Sequence, residues 1–194
     1  LPHLGDLHFH VPTYYLYAIP LAIIILTFAS IEIELLSIGV ILLVTGELLR
    51  LNGVRYAGGE TRTRKVGASA LCTSGPFAYV RNPLYLGNVI IYAGMVLVAG
   101  GEFVWTLFPV TLGFFFLEYG LIISLEEETL RQKFGLEYDE YLAAVPRLLP
   151  RMTPWKGGGE TVPMNMEKTV RIEKRTFQTI SGFLFLLILR VTLL

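Results

Sequence analysis

The sequence predicts an all-α integral membrane protein with about five transmembrane helices plus a cytoplasmic amphipathic helix, organised as a single domain over residues 1–194. Three observations carry this prediction. Of the 194 residues, 53% are hydrophobic and 16% charged, and the mean hydropathy is +0.57. Apolar runs recur at lengths that span a hydrocarbon core of about 30 Å at about 1.5 Å per helical residue. All of the 16 Lys and Arg except Arg190 lie between Arg50 and Arg81 or between Arg131 and Arg175.

Spans are expected at residues 14–30, 33–51, 84–100, 103–125 and 177–194. The first run lacks a basic leader and a small-residue cleavage site, so it is expected to be a retained span rather than a signal peptide. Short turns around Ile31–Glu32 and Gly100–Glu102 predict two antiparallel hairpins. The connections 52–83 and 126–176 then fall on one side. By the positive-inside rule that side is cytoplasmic, as is the N-terminus. His3, His8 and His10 cluster before the first span and fit an arm lying along the membrane interface. A lone Cys72 excludes an intrachain disulfide and a cysteine-based zinc cluster. Neither a metal nor a nucleic-acid partner is expected. Gly157–Gly159 is expected to be a flexible joint before the last helix.

The stretch Thr73–Asn88, TSGPFAYVRNPLYLGN, places polar chemistry at a membrane boundary. Asn82-Pro83 is a helix start in which Asn would cap orphan N–H groups and Pro fits the first helical position. A cap alone leaves Arg81, Tyr79 and Tyr85 unexplained. An open helix N-terminus beside an Arg suits a carboxylate or phosphate.

Past the fourth span, Glu126-Glu127-Glu128 would oppose the helix dipole unless the helix continues. Leu130, Phe134, Tyr138, Tyr141, Leu142 and Val145 recur at spacings of three and four, so continuation is expected as an amphipathic helix that bends near Gly135 and stops at Pro146. Two carboxylates lie inside spans. Glu47 is expected to snorkel or to pair with Arg50 or Arg81, and Glu118 sits two turns before Glu126 on nearly the same helical face.

GPFAYVRNPLYLG, a Glu pair after the next span, and FGLEYDEYLAAVPRLLPR keep an order and spacing that resembles the isoprenylcysteine carboxyl methyltransferase family. The resemblance runs from Ser69 to Arg151, and the wider superfamily includes phospholipid N-methyltransferases. It implies an S-adenosyl-L-methionine pocket built from the cytoplasmic segments 52–83 and 126–156, with S-adenosyl-L-homocysteine as product. Carried over by position, the cofactor-binding residues are Ser69, Ala70, Leu71, Cys72, Phe77, Asn82, Pro83, Leu84, Tyr85 and Glu126 or Glu127. The implied acceptor is a prenylated substrate or a phospholipid drawn from the bilayer. Arg81 or Arg147 would guide an acidic headgroup. Glu118 or Glu126 would serve as base if an amine were methylated.

Two departures stand out. The family's Arg-His-Pro reads Arg-Asn-Pro here, and Ile122 and Ile123 occupy the turn where a basic residue would hold a carboxylate. Membrane sterol-type reductases share a similar C-terminal layout and bind NADPH, which makes an oxidoreductase the alternative enzyme class. A non-catalytic scaffold would leave Arg81 and the three glutamates without a task.

Overall fold

The computed structural model describes residues 12–58 and 70–193. Those residues form six α-helices and one 3₁₀ turn: α1 (Pro12–Thr27), α2 (Ile33–Ala57), the turn Gly75–Ala78, α3 (Pro83–Ala99), α4 (Val104–Phe134), α5 (Leu136–Ala144) and α6 (Met166–Leu193). No strand occurs among them. His3, His8, His10 and Ser69 lie outside the described residues. Among the described residues, α4 and α6 are long and apolar enough to cross a membrane, by length and composition. Ala18–Thr27 and α3 are shorter apolar helices, and α2 carries Glu34, Glu47, Arg50 and Arg55 within its length.

α3 is the central helix. It buries Gly87, Val89, Ile91 and every residue from Ala93 to Ala99. Against it α2 presents one stripe, Leu35, Gly39, Leu43, Gly46, Arg50 and Gly53, whose steps of three and four define a single helical face. Ile38, Ile41, Val44 and Leu48 face outward. Three glycines on α2 recur every seven residues, as do Gly87 and Gly94 on α3, and they bring the two backbones together. A Cβ at Gly94 would stand 2.8 Å from the Gly39 carbonyl oxygen, and one at Gly87 would stand 2.9 Å from that of Gly46. Small residues at this spacing allow tight helix packing where burial from lipid supplies no drive.

α4 packs with a stripe of every fourth residue, Thr111, Phe115, Tyr119, Ile123 and Glu127. Leu117, Leu121 and Trp105 are exposed on its other side, as are Phe185, Leu186 and Ile188 on α6. A layer of this kind would cost a water-soluble chain solubility and suits a lipid surround. At one end of the bundle the two hairpin turns dock on each other. Ser30 N–H donates to the Ala99 carbonyl at 3.0 Å. Gly100 and Gly101 have φ of 61° and 91°, and side chains there would strike the Ser30 and Phe28 carbonyls.

Several expectations change. α2 continues six residues beyond Leu51, to Ala57. α6 begins at Met166 rather than 177, because Asn165 Oδ1 accepts from the Lys168 N–H at 2.9 Å and caps the helix, while Thr169 and Glu173 form a buried face. The glycine run is a packing contact instead of a free joint: a Cβ at Gly158 would stand 2.0 Å from Thr73 Oγ1, and Gly159 O accepts from Ser74 Oγ at 2.9 Å. Arg50 pairs with Glu173, and Arg81 with Glu127. The bend at Gly135 is where it was expected, with φ of 55°.

Candidate functional site

Opposite the docked turns, the two polar segments are knitted together by backbone. Arg81 N–H donates to Pro146 O at 2.9 Å, Arg151 N–H to Tyr79 O at 2.9 Å, and Trp155 N–H to Ala78 O at 2.9 Å. The stretches GPFAYVRNP and VPRLLPR therefore lie side by side. Behind them, Tyr138, Tyr141 and Val145 of the α5 region pack with Leu71 and Trp155 in a small apolar cluster. The Tyr141 hydroxyl donates to Phe77 O at 2.8 Å. Burial pushes the Tyr138 phenol up to about 12, aided by the Glu127 charge. Burial raises Tyr141 as well, so both hydroxyls remain donors at neutral pH. The Cys72 thiol is likewise raised by burial, which disfavours thiolate chemistry there.

Glu127 is the hub. Its carboxylate accepts from Arg81 Nε at 3.1 Å and Nη2 at 3.0 Å, and from Arg147 Nη2 through its other oxygen. Arg81 Nη1 donates to the Leu142 carbonyl at 2.9 Å and to that of Val145. This arginine ties α4 to the end of α5. Arg147 is more open and reaches Ser124 Oγ at 3.3 Å.

Glu126 points elsewhere, accepting from the Tyr85 hydroxyl at 2.7 Å. The rings of Tyr85 and Tyr119 lie 5.0 Å apart, and Glu118 follows two turns below Glu126, half-buried on the same side of α4. Adjacent glutamates on a helix diverge by about 100°, which separates an internal ion-pair hub from a carboxylate facing the start of α3.

Asn82 corrects an expectation. It sits at the N-cap of α3 but makes no side-chain cap. Its Nδ2 donates instead to the Arg147 carbonyl at 3.1 Å. Pro83 is buried directly behind it, and the first-turn amides of α3 are left without a side-chain partner from Asn82. Because an imidazole N–H can supply the same donor, Asn82→His is expected to keep its melting temperature within about 2 °C in a thermal scan. A loss of more than about 5 °C would show that the amide itself is required.

A cleft of about 550 Å³ opens on the loop side, lined by Tyr56, Ser74, Trp155, Lys156 and Thr161 among others. It borders Thr73 directly after Cys72, and Tyr85 and Glu126 do not line it. Of the residues singled out from sequence, Arg81, Arg147 and Glu127 meet in one network, and Tyr85 with Glu126 form a second contact beside it. Leu71 joins the α5 cluster, Phe77 is tied to it through its carbonyl, which accepts from Tyr141, and Ala70 is exposed. Glu173 and Asn165 escaped the sequence reading. An Asn before Met-Glu-Lys-Thr was the available signal for a helix start.

Residues 33–137, from the start of α2 into α5, match the sequence profile described as phospholipid methyltransferase. The chain belongs to the phospholipid methyltransferase family. The matched stretch covers α2, α3 and α4 with the Arg81–Glu127 pair, and Arg147 lies beyond it. Over 118 residues the chain is also 30% identical to protein-S-isoprenylcysteine O-methyltransferase B of Arabidopsis thaliana. The match takes in 59% of this chain and 58% of the plant protein, so the chain spans somewhat more than half the length of that relative. In this phospholipid methyltransferase family member the Glu126–Tyr85 contact likewise lies inside the matched residues.

Proposed function

We propose that this protein is a membrane methyltransferase that uses S-adenosylmethionine to methylate a lipid-linked acceptor at the cytoplasmic face, its chain crossing the bilayer about five times with both long connections on that face. The leading reaction is carboxyl O-methylation of a C-terminal isoprenylcysteine. The observation that carries the reading is the meeting of three separated stretches at one end of the bundle, beside the uncapped first turn of α3 and the Glu126 carboxylate.

The residues fit the cofactor by chemistry. An uncapped helix N-terminus suits a carboxylate. Glu126 suits an ammonium or ribose hydroxyls, and Phe77 or Tyr85 offers a ring face to a cation. Ser69, Ala70, Leu71 and Cys72, with Asn82, Pro83 and Leu84, complete the assigned set. When bound, the cofactor supplies an electrophilic methyl group carried on a sulfonium.

The protein's own residues orient and desolvate. A prenylcysteine carboxylate, with a reference pKa of about 3.5, is already ionised at neutral pH, so no base is needed and alignment is the main task. Opposite charges on donor and acceptor are lost as the methyl moves, and a dry site favours that change. Arg147, the most exposed of the site's arginines, is placed to attract an acidic headgroup. Arg81 and Glu127 hold the scaffold around it.

One observation favours a second reading. Arg50, Arg81 and Arg147 each face a carboxylate, whereas Glu126 faces a phenol. Such a site would also accept a lipid amine, whose ammonium must first shed a proton to Glu126 or Glu118.

Calorimetric titration of the detergent-solubilised protein with S-adenosylhomocysteine, with NADPH in parallel, tests the class. Micromolar binding of the former alone is the expected result; NADPH binding alone would replace the reading with a reductase. Tritiated methyl transfer to a farnesylcysteine analogue or to an ethanolamine phospholipid then separates the two acceptors. Glu126→Ala is expected to weaken S-adenosylhomocysteine binding at least tenfold with the fold intact, and unchanged binding would remove Glu126 from the pocket.

A further inference from the structure

Arg50, on α2, has partners on two other helices, α6 and α3. It lies on the buried stripe of α2, with its side chain 10% exposed, against a Glu173 that is fully buried on α6. Its Nη2 donates to Glu173 Oε2 at 2.9 Å and Oε1 at 3.1 Å, and its Nε to Oε2 at 3.3 Å. Nη1 turns the other way, to Asn88 Oδ1 at 2.7 Å and the Leu84 carbonyl at 3.3 Å, both on the first turns of α3. Thr176 Oγ1 adds a donor to Glu173 at 2.7 Å. The guanidinium therefore binds α6 with one edge and the start of α3 with the other.

Leu84 and Asn88 flank Tyr85, the residue that meets Glu126. Gly87, one turn along α3, leaves room for the Arg50 stem, since a Cβ there would stand 2.6 Å from Arg50 Cγ. We propose that Arg50 is a positioning residue of the methyl-transfer site: held by Glu173, it fixes the first two turns of α3 and so sets where Tyr85 and Glu126 present themselves. This rests on the functional reading above. Only a planar fork can serve both helices at once; a lysine ammonium at the same place must choose between Glu173 and the α3 acceptors.

The test compares wild type, Arg50→Lys and the double variant Arg50→Met/Glu173→Met, which removes both buried charges together. Each is scored for melting temperature, for S-adenosylhomocysteine affinity, and for amide hydrogen exchange across residues 86–90. Expected is a double variant that melts within about 5 °C of wild type yet binds at least tenfold more weakly and exchanges faster at those amides, with Arg50→Lys in between. A folded double variant with wild-type affinity and exchange overturns the proposal. If the double variant does not fold, Arg50→Lys decides alone, and wild-type affinity and exchange in it overturn the proposal equally. Should wild type bind no S-adenosylhomocysteine, the methyltransferase reading fails by itself, and the exchange at residues 86–90 still supports or overturns the positioning of α3 by Arg50.

Discussion

Glu127→Ala is expected to be the most damaging single change in the polar end of the molecule, lowering stability by about 3–5 kcal/mol, the typical cost of removing one partner from a buried ion pair. Glu127 and Arg81 are 8% and 10% exposed. Without the carboxylate, the Arg81 charge stays inside, held only by the carbonyls of Leu142 and Val145. Removing the other arm should cost far less. Arg147 is 42% exposed, and an ion pair in contact with solvent contributes about 0–1 kcal/mol. Thermal unfolding in detergent, followed by circular dichroism, should place Glu127→Ala far below wild type and Arg147→Ala close to it. Equal melting temperatures for Glu127→Ala and wild type would show that the hub does not support the fold.

Gly46→Leu should break the seam between α2 and α3. A Cβ at this position stands 2.8 Å from the Gly87 carbonyl oxygen and 3.0 Å from the Ile91 nitrogen, and these are backbone atoms that cannot rotate aside. Overpacking a close-packed interior costs about 1–3 kcal/mol, and the upper end or beyond is expected here because the helices themselves must separate. Gly120 on α4 provides the control, since a Cβ there meets nothing within 4 Å. Gly120→Ala should be neutral or gain about 0.5–1 kcal/mol from helix propensity. If both variants melt alike, the close approach of α2 and α3 does not hold the bundle together.

The helices were legible where apolar runs met strong punctuation. Asn82-Pro83 opened α3, and Gly135 separated α4 from α5, both as expected. Boundaries slipped where amphipathic segments extended apolar ones. The first three turns of α6 are charged, and their helicity rests on the Asn165 cap and on the partner that Glu173 finds on α2, which no local pattern reveals. At the site, the family resemblance brought Arg81, Arg147 and the glutamates into one list. It could not say that Glu127 turns inward to two arginines while Glu126 turns toward Tyr85. That division depends on how α5 folds back, a tertiary fact. The glycine period on α2 and α3 was present in the sequence, but its meaning depends on knowing that these two helices face each other.

The α2–α3 seam also bears on how the chain can change over time. Its fit is made by main chain against main chain, so the outward-facing Ile38, Ile41, Val44 and Leu48 take no part in it. Drift can exchange one branched aliphatic residue for another along that outer face with little consequence, while Gly39, Gly46, Gly87 and Gly94 admit almost no alternative. Two lineages could thus diverge over most of their outer surface and still assemble the same pair of helices, because a handful of positions without side chains carry the instruction.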